Sequence, residues 1–269
     1  MATPFSPAQV AQFQTEGFLA VPHFWDATEI AAMRAELERF KSEGKLRNVA
    51  TEGDGKTTAS QKANLQLCPM SPHSTLFRAM PFAPKVIEAT EQLIGGPLLL
   101  QLDQVFLKPA HHGAGTNWHQ DNDYFGITSP VQGTALWTAI HDATEANGAL
   151  RVIPRAFHEA MPHTRDPDSD HHVRCYPDES QAVLLEMEAG GAIFFNYGTP
   201  HATGSNRTEH ERAGVALHFL TIEANAKARG GLSRRPVLTG PNATGGEAEY
   251  GFRIAGTWPR EVENALSKS

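Results

Sequence analysis

The stretch "TNWHQDNDYFG" (residues 116–126) sets His119 and Asp121 two positions apart, between a tryptophan and a Tyr-Phe pair. In an extended segment, side chains two apart point to the same side, so an imidazole and a carboxylate could share one cation. A His-X-Asp pair recurs often by chance, and a metal centre needs a third ligand. The later segment "GGAIFFNYGTPHATGSN" offers one in His201, just past an apolar run where a loop is expected to leave the mouth of a β-barrel. Two histidines and a carboxylate on one face of a metal leave positions open for a bidentate cosubstrate and dioxygen, the arrangement of non-haem iron(II) oxygenases.

A 2-oxo acid that chelates iron needs its far carboxylate held by a fixed, permanently charged fork, which Arg supplies better than Lys. Arg212 follows His201 by eleven residues and opens the apolar run "AGVALHFL". Thr203, two residues after His201, could add a hydroxyl to the same carboxylate.

These groups need a scaffold, and its grammar changes along the chain. Ser6 can cap a helix over "PAQVAQFQTEG" that stops at Gly17, and "FLAV" reads as a strand. Asp26 and Glu29 form a capping box ahead of Ile30, Met33, Leu37 and Phe40, which share one helical face as far as Gly44. Another helix runs through "APKVIEATEQLIGG". From Pro97 onward, "LLLQLDQVFLK", "TALWTAI", "ALRVIP", "AVLLEME", "GAIFFN" and "AGVALHFL" read as strands, with "EANGAL" an Asn-Gly hairpin signal. Helices followed by many short strands imply an α+β fold with a β-sandwich or barrel core. No repeat or linker divides the chain, so one domain over residues 1–269 is expected. Its parts are a helical N-terminal portion with a lid loop (1–96), the β core (97–222) and a C-terminal arm (223–269).

Composition narrows the class of function. The 269 residues carry 23 Lys and Arg against 30 Asp and Glu, a net charge of −7 without basic runs, which argues against a nucleic-acid partner. The start of the chain lacks a signal-peptide pattern and no apolar run is long enough to span a membrane. The two cysteines, Cys68 and Cys175, are expected to be reduced thiols in a cytoplasmic protein.

The ordered set "KP" (Lys108 and Pro109), "WHQD", "ALWTAIHDATEANGALRVIP", "HATGSN" and Arg212 resembles the phytanoyl-CoA dioxygenase-like family of iron(II)/2-oxoglutarate dioxygenases, over roughly residues 10 to 220. The resemblance implies a double-stranded β-helix, or jelly roll, of cupin-like type, with N-terminal supporting helices. It implies His119, Asp121 and His201 as iron ligands, Arg212 and Thr203 at the far carboxylate of 2-oxoglutarate, and Trp137 and Lys108 beside the cosubstrate. Halogenating relatives replace the carboxylate ligand with a small residue. Asp121 is present here, which implies hydroxylation or a related oxidation that consumes O2 and releases succinate and carbon dioxide.

For the substrate, a small organic molecule, two segments are candidates. The insert "HTRDPDSDHHVRCYPD" (residues 163–178) gathers His163, Arg165, His171, His172 and Arg174. It reads either as a cationic patch for a carboxylate, phosphate or phosphonate, or as a solvated loop paired with Asp166, Asp168 and Asp170. The loop over residues 47–66 reads as a second lid, offering Asn64 and Gln66, and Gln104 shares the strand face of Lys108. The Gly-, Pro- and Arg-rich tail reads as an extended arm that could pack across a partner subunit in a homodimer. Two other functions fit parts of this pattern: a non-catalytic 2-oxoglutarate sensor, and a cupin-type dioxygenase without an oxo acid. Arg212 separates the second from the rest.

Overall fold

The structure, a computed structural model, describes residues 4–225 and 235–267. The first part of the chain forms α1 (Pro7–Glu16), β1 (Phe18–Val21), α2 (Ala27–Ser42), β2 (Arg47–Asn48), β3 (Leu65–Leu67), α3 (Thr75–Ala79) and α4 (Pro84–Ile94). The middle forms β4 (Leu98–Lys108), β5 (Thr116–His119), α5 (Asn122–Phe125), β6 (Gly133–Ala139), β7 (Leu150–Val152), β8 (Thr164–Arg165) and β9 (Val173–Arg174). The remainder forms β10 (Val183–Leu185), β11 (Ala192–Asn196), β12 (His201–Thr203), β13 (Arg212–Thr221), α6 (Ile222–Asn225), α7 (Glu247–Tyr250) and α8 (Trp258–Leu266).

Two antiparallel sheets face each other. The larger has the order β1-β11-β6-β13-β4-β3-β2 and the smaller β10-β7-β12-β5, the two walls of a jelly roll. Strand alternation divides the large sheet's side chains between two cores. Leu136, Phe194, Val215, Leu217, Val105 and Leu107 point outward and pack under α1, α2, α3 and α4. Their neighbours Ala135, Trp137, Ile193, Phe195 and Ala216 point inward against Leu150 and Val152 of the small sheet. The helices therefore stiffen the outer face of the wall whose inner face carries the polar site.

The helix starts follow the local chemistry. Ser6 and Asp26 each head a reciprocal capping box, with Gln9 and Glu29, and Gly17 ends α1 with φ of 86°. Glu29 does more than cap: it pairs with Lys85 and accepts a 2.7 Å hydrogen bond from the Trp258 indole.

Four expectations are corrected. Asn147 and Gly148 do not make a hairpin; residues 145–147 form a 3-10 turn, Gly148 adopts φ of 89°, and the chain crosses from β6 in one sheet to β7 in the other. The Asn-Gly pair meets the need for a left-handed residue, and here that need arises at a sheet-to-sheet crossover. His201 does not sit in a loop; it opens β12. Residues 47–66 begin and end in strands β2 and β3, which extend the large sheet. The tail is not simply an extended arm: Val237 bridges to Leu99, and α8 returns to pack Trp258 against Trp25 of its own chain, with ring centroids 5.4 Å apart. Residues 226–234 of the expected arm lie outside the described residues. Both cysteines are free thiols, and among the described residues no helix is long and apolar enough to cross a membrane.

Candidate active site

His119 closes β5, His201 opens β12, and the two strands pair with these residues directly opposite one another. The register brings the rings to a centroid distance of 4.2 Å. Asp121 is not extended as expected. It has helical φ and ψ (−57°, −28°) at the start of α5, and this turn carries its carboxylate back to the imidazoles. Its Oδ1 lies 3.7 Å from Nε2 of both His119 and His201.

The donor set suits a divalent metal. The candidate ligand atoms of the three buried residues lie within 4.8 Å of one another. His119 Nδ1 donates to Asn117 O at 2.8 Å and His201 Nδ1 donates to Thr199 O at 3.0 Å, so both rings aim Nε2 at Asp121. Burial, reinforced for His119 by the neighbouring His201, pushes the pKa of each ring down to about 4. The imidazoles are thus neutral near pH 7, the state that ligates metals.

The centre opens into a cavity of about 450 Å³ between the sheets. At one end lie Lys108 and Arg212, opposite each other across β4 and β13 and both 1 % exposed. Arg212 Nη2 donates to Gly148 O, its Nε has no hydrogen-bond partner among the described residues, and its guanidinium carbon lies 5.7 Å from the Trp137 ring centroid. Burial pulls the Arg212 pKa down to about 9, and burial beside Arg212 holds the Lys108 amine well below its usual range. Neither cation forms an ion pair among the described residues, so a small anion with two carboxylates would complete this end of the cavity. Gly214 makes room for Trp137: a Cβ there would fall 2.5 Å from the indole.

The other residues singled out in the sequence divide. Thr203 faces the cavity and its hydroxyl accepts from Thr116 N at 3.2 Å. Asn64, Gln66, Gln104 and His172 also line the cavity. His172 stacks on His119, 6.2 Å between centroids and 8° between planes. His163 and Arg174 do not line it. His163 accepts from Gln120 N at 3.0 Å through Nε2, which turns it into a support beneath the Asp121 turn, while Arg174 lies over Tyr176, 5.3 Å from its ring centroid.

Two acidic residues of the insert, Asp168 and Asp170, are engaged with the other loop, while the Asp166 carboxylate accepts from Asn117 Nδ2 at 3.0 Å. Arg47 pairs with Asp170, Lys62 with Asp168 at 2.9 Å, and Thr51 N donates to Asp168 O at 3.0 Å. The two expected lids are therefore zipped to each other, and of the insert's basic residues His171 and His172 face the cavity.

Two polar lining groups beside the triad, Tyr124 and His218, were not singled out from the sequence. Tyr124 sets its ring edge-on to His119 at 5.8 Å. His218 faces Asp121 from β13, with Nδ1 3.5 Å from Oδ2. Strand alternation could have found His218, which is six residues after Arg212 and so on the same face.

A jelly roll whose inner wall carries a His-Asp-His cluster beside buried, unpaired cations defines the class of iron(II)/2-oxoglutarate oxygenases. Residues 13–214 match the phytanoyl-CoA dioxygenase (PhyH) family, and the chain belongs to that family. It is 22% identical to the ectoine dioxygenase of Bordetella parapertussis, over 87% of this chain and 82% of that protein. It is 25% identical to the L-proline trans-4-hydroxylase of Streptomyces griseoviridis, over 82% of this chain and 88% of that one. The fold superposes on the epimerase SnoN from nogalamycin biosynthesis, solved with Fe3+, alpha-ketoglutarate and nogalamycin RO, with a TM-score of 0.67 at 21% identity, covering 80% of this chain and 82% of that one. The chain is an iron(II)- and 2-oxoglutarate-dependent dioxygenase.

Proposed function

We propose that this enzyme hydroxylates a small anionic organic molecule, with His119, Asp121 and His201 as iron ligands and Arg212, Lys108, Thr203 and Trp137 holding 2-oxoglutarate. The observation that carries this reading is the Arg212 guanidinium, fully buried in the cavity that the triad lines and without a carboxylate partner among the described residues. A buried fork of this kind suits the far carboxylate of a bound 2-oxo acid. Bound iron supplies dioxygen activation coupled to decarboxylation of the cosubstrate.

The chain's own residues do the rest. Trp137 packs beside the Arg212 fork and Thr203 can donate its hydroxyl proton to the same carboxylate. Tyr124, Phe125, Leu102 and Phe106 form apolar walls that keep water from the substrate's reacting carbon. Asn64 Oδ1 is buried without a hydrogen-bond partner, which suits a donor group on the substrate. Among the lining residues Asp121 is the one carboxylate, whereas Arg47 and His171 stand near the lids. That imbalance supports an anionic substrate, and the names of the ectoine and proline relatives support a small-molecule one.

The test is 2-oxoglutarate-dependent succinate release with a panel of small carboxylates, phosphates and phosphonates, each paired with its neutral ester or amide. A product heavier by one oxygen from an acid, and none from its neutral counterpart, is the expected result. Oxidation of the neutral counterpart with equal kcat/KM would remove the anionic part of the reading.

A further inference from the structure

The ligands of a metal centre are held in orientation by the groups behind them, and the two triad imidazoles have theirs in backbone carbonyls. Asp121 is different. Its Oδ1 faces the imidazoles, while Oδ2 is buried and makes no hydrogen bond among the described residues; the His218 ring faces it with Nδ1 3.5 Å away. His218 Nδ1 is itself buried and otherwise unpartnered among the described residues. Phe125 at 5.4 Å and Tyr197 at 6.0 Å flank the His218 ring and restrict its rotation.

The far side of that ring fixes where its proton sits. Gln66 Nε2 donates to Gln104 Oε1 at 3.0 Å, and Gln104 Nε2 is 3.2 Å from His218 Nε2. With the Gln104 oxygen occupied by Gln66, its amide nitrogen faces the ring and donates. His218 Nε2 is then the acceptor, and the proton of the neutral ring must sit on Nδ1, aimed at Asp121. Reversing both amides would put the proton on Nε2. The Nδ1 lone pair would then face a carboxylate oxygen in a buried site, which that oxygen opposes.

We propose that Gln66, Gln104 and His218 form a positioning relay that runs across β3, β4 and β13 and fixes His218 as the Nδ1–H tautomer, so that it anchors Asp121 and presents Oδ1 to the metal. His218 and the two glutamines act through Asp121 and are not ligands. The inference rests on the reading of His119, Asp121 and His201 as the iron centre.

The relay predicts a tautomer in the metal-free protein and an order of iron affinities. Long-range 1H–15N correlation spectra of histidine-labelled apoprotein, assigned with His218→Asn, should show His218 as Nδ1–H. Gln104→Glu, which sets a second carboxylate opposite Nε2, should give the doubly protonated ring with Nδ1–H retained. Iron(II) titration should show about 10- to 100-fold weaker binding in His218→Leu. His218→Gln should be weakened similarly, because its amide nitrogen falls near the Nε2 position. His218→Asn, whose amide nitrogen replaces Nδ1–H, should stay within a few-fold of wild type, and circular dichroism of each apoprotein checks that it folds.

An Nε2–H ring in wild type, or iron affinity in His218→Leu equal to wild type, overturns the relay. Equal weakening in the Asn and Leu variants overturns it as well, because shape rather than the donated hydrogen bond would then be what matters. Absence of iron binding by wild type overturns the iron centre itself, and that failure is separate because the tautomer is read without metal.

Discussion

Arg212 and Lys108 stand opposite one another on β13 and β4, both buried, with one shared boundary in the cavity and no acidic residue paired to either among the described residues. Charging both groups in such a place is costly unless an anion arrives, so cosubstrate binding should depend steeply on both. Arg212→Ala removes charge-assisted bonds of about 1.5–3 kcal/mol, and the dissociation constant for 2-oxoglutarate should rise roughly 10- to 100-fold. Arg212→Lys should recover little, since an ammonium lacks the planar fork. Calorimetric titration of the iron-loaded protein measures both.

Gly214 tests the same pocket by shape. A methyl group there meets the Trp137 indole at 2.5 Å inside a packed sheet, so Gly214→Ala should cost about 1–3 kcal/mol of stability as the ring is displaced. Because Trp137 packs beside the Arg212 guanidinium, the same substitution should weaken 2-oxoglutarate binding. Denaturant unfolding and the titration above should move together.

Acidification should act through the triad imidazoles. An imidazole with a folded pKa of about 4 and an unfolded value near 6.5 is protonated first in the unfolded chain. Between those values the unfolded state binds more protons, so the stability of metal-free enzyme falls as pH drops from about 6.5 to about 4. His201→Asn removes one titrating ring and should flatten that dependence. Denaturant midpoints across the window in both proteins provide the check, and parallel curves would count against it.

The lid zipper should matter to substrate more than to folding. Arg47 and Asp170 are a partly exposed pair, so Asp170→Asn should change stability by less than about 1 kcal/mol. It also releases Arg47 at the cavity, and KM for an anionic substrate should fall while kcat holds. A KM unchanged across anionic and neutral substrates would separate Arg47 from recognition.

Much of this was legible because the patterns were local. The capping boxes at Ser6 and Asp26 and the long strands Leu98–Lys108 and Arg212–Thr221 carry their periods in a few consecutive residues. The spacing from His201 to Arg212 pointed to one cavity because a short segment, residues 204–211, carries the chain from β12 in one wall to β13 in the other. What escaped depends on distant partners. Strand β12 is three residues long and exists through pairing with β5 and β7, and the turn at Asp121 is needed to fold its carboxylate back. The insert's charges looked free in sequence, yet Asp168 and Asp170 are spoken for by Lys62 and Arg47, more than a hundred residues away.

The C-terminal helix carries the last of these lessons and its own prediction. Trp258 is buried against Trp25 and bonds to Glu29, the N3 member of the α2 capping box. Trp258→Ala should cost about 3–5 kcal/mol, lowering the thermal midpoint of the dilute protein. A variant as stable as wild type would show that α8 contributes little to its own chain.

The visible charge-transfer band of an iron(II)–2-oxoglutarate chelate, recorded anaerobically for wild type, His201→Ala and Arg212→Ala, tests this site most directly. The band should appear in wild type, vanish in His201→Ala, and need much more cosubstrate to reach full intensity in Arg212→Ala. Wild-type protein with iron verifiably bound, but with neither a band nor measurable affinity for 2-oxoglutarate, would contradict the assignment of this site.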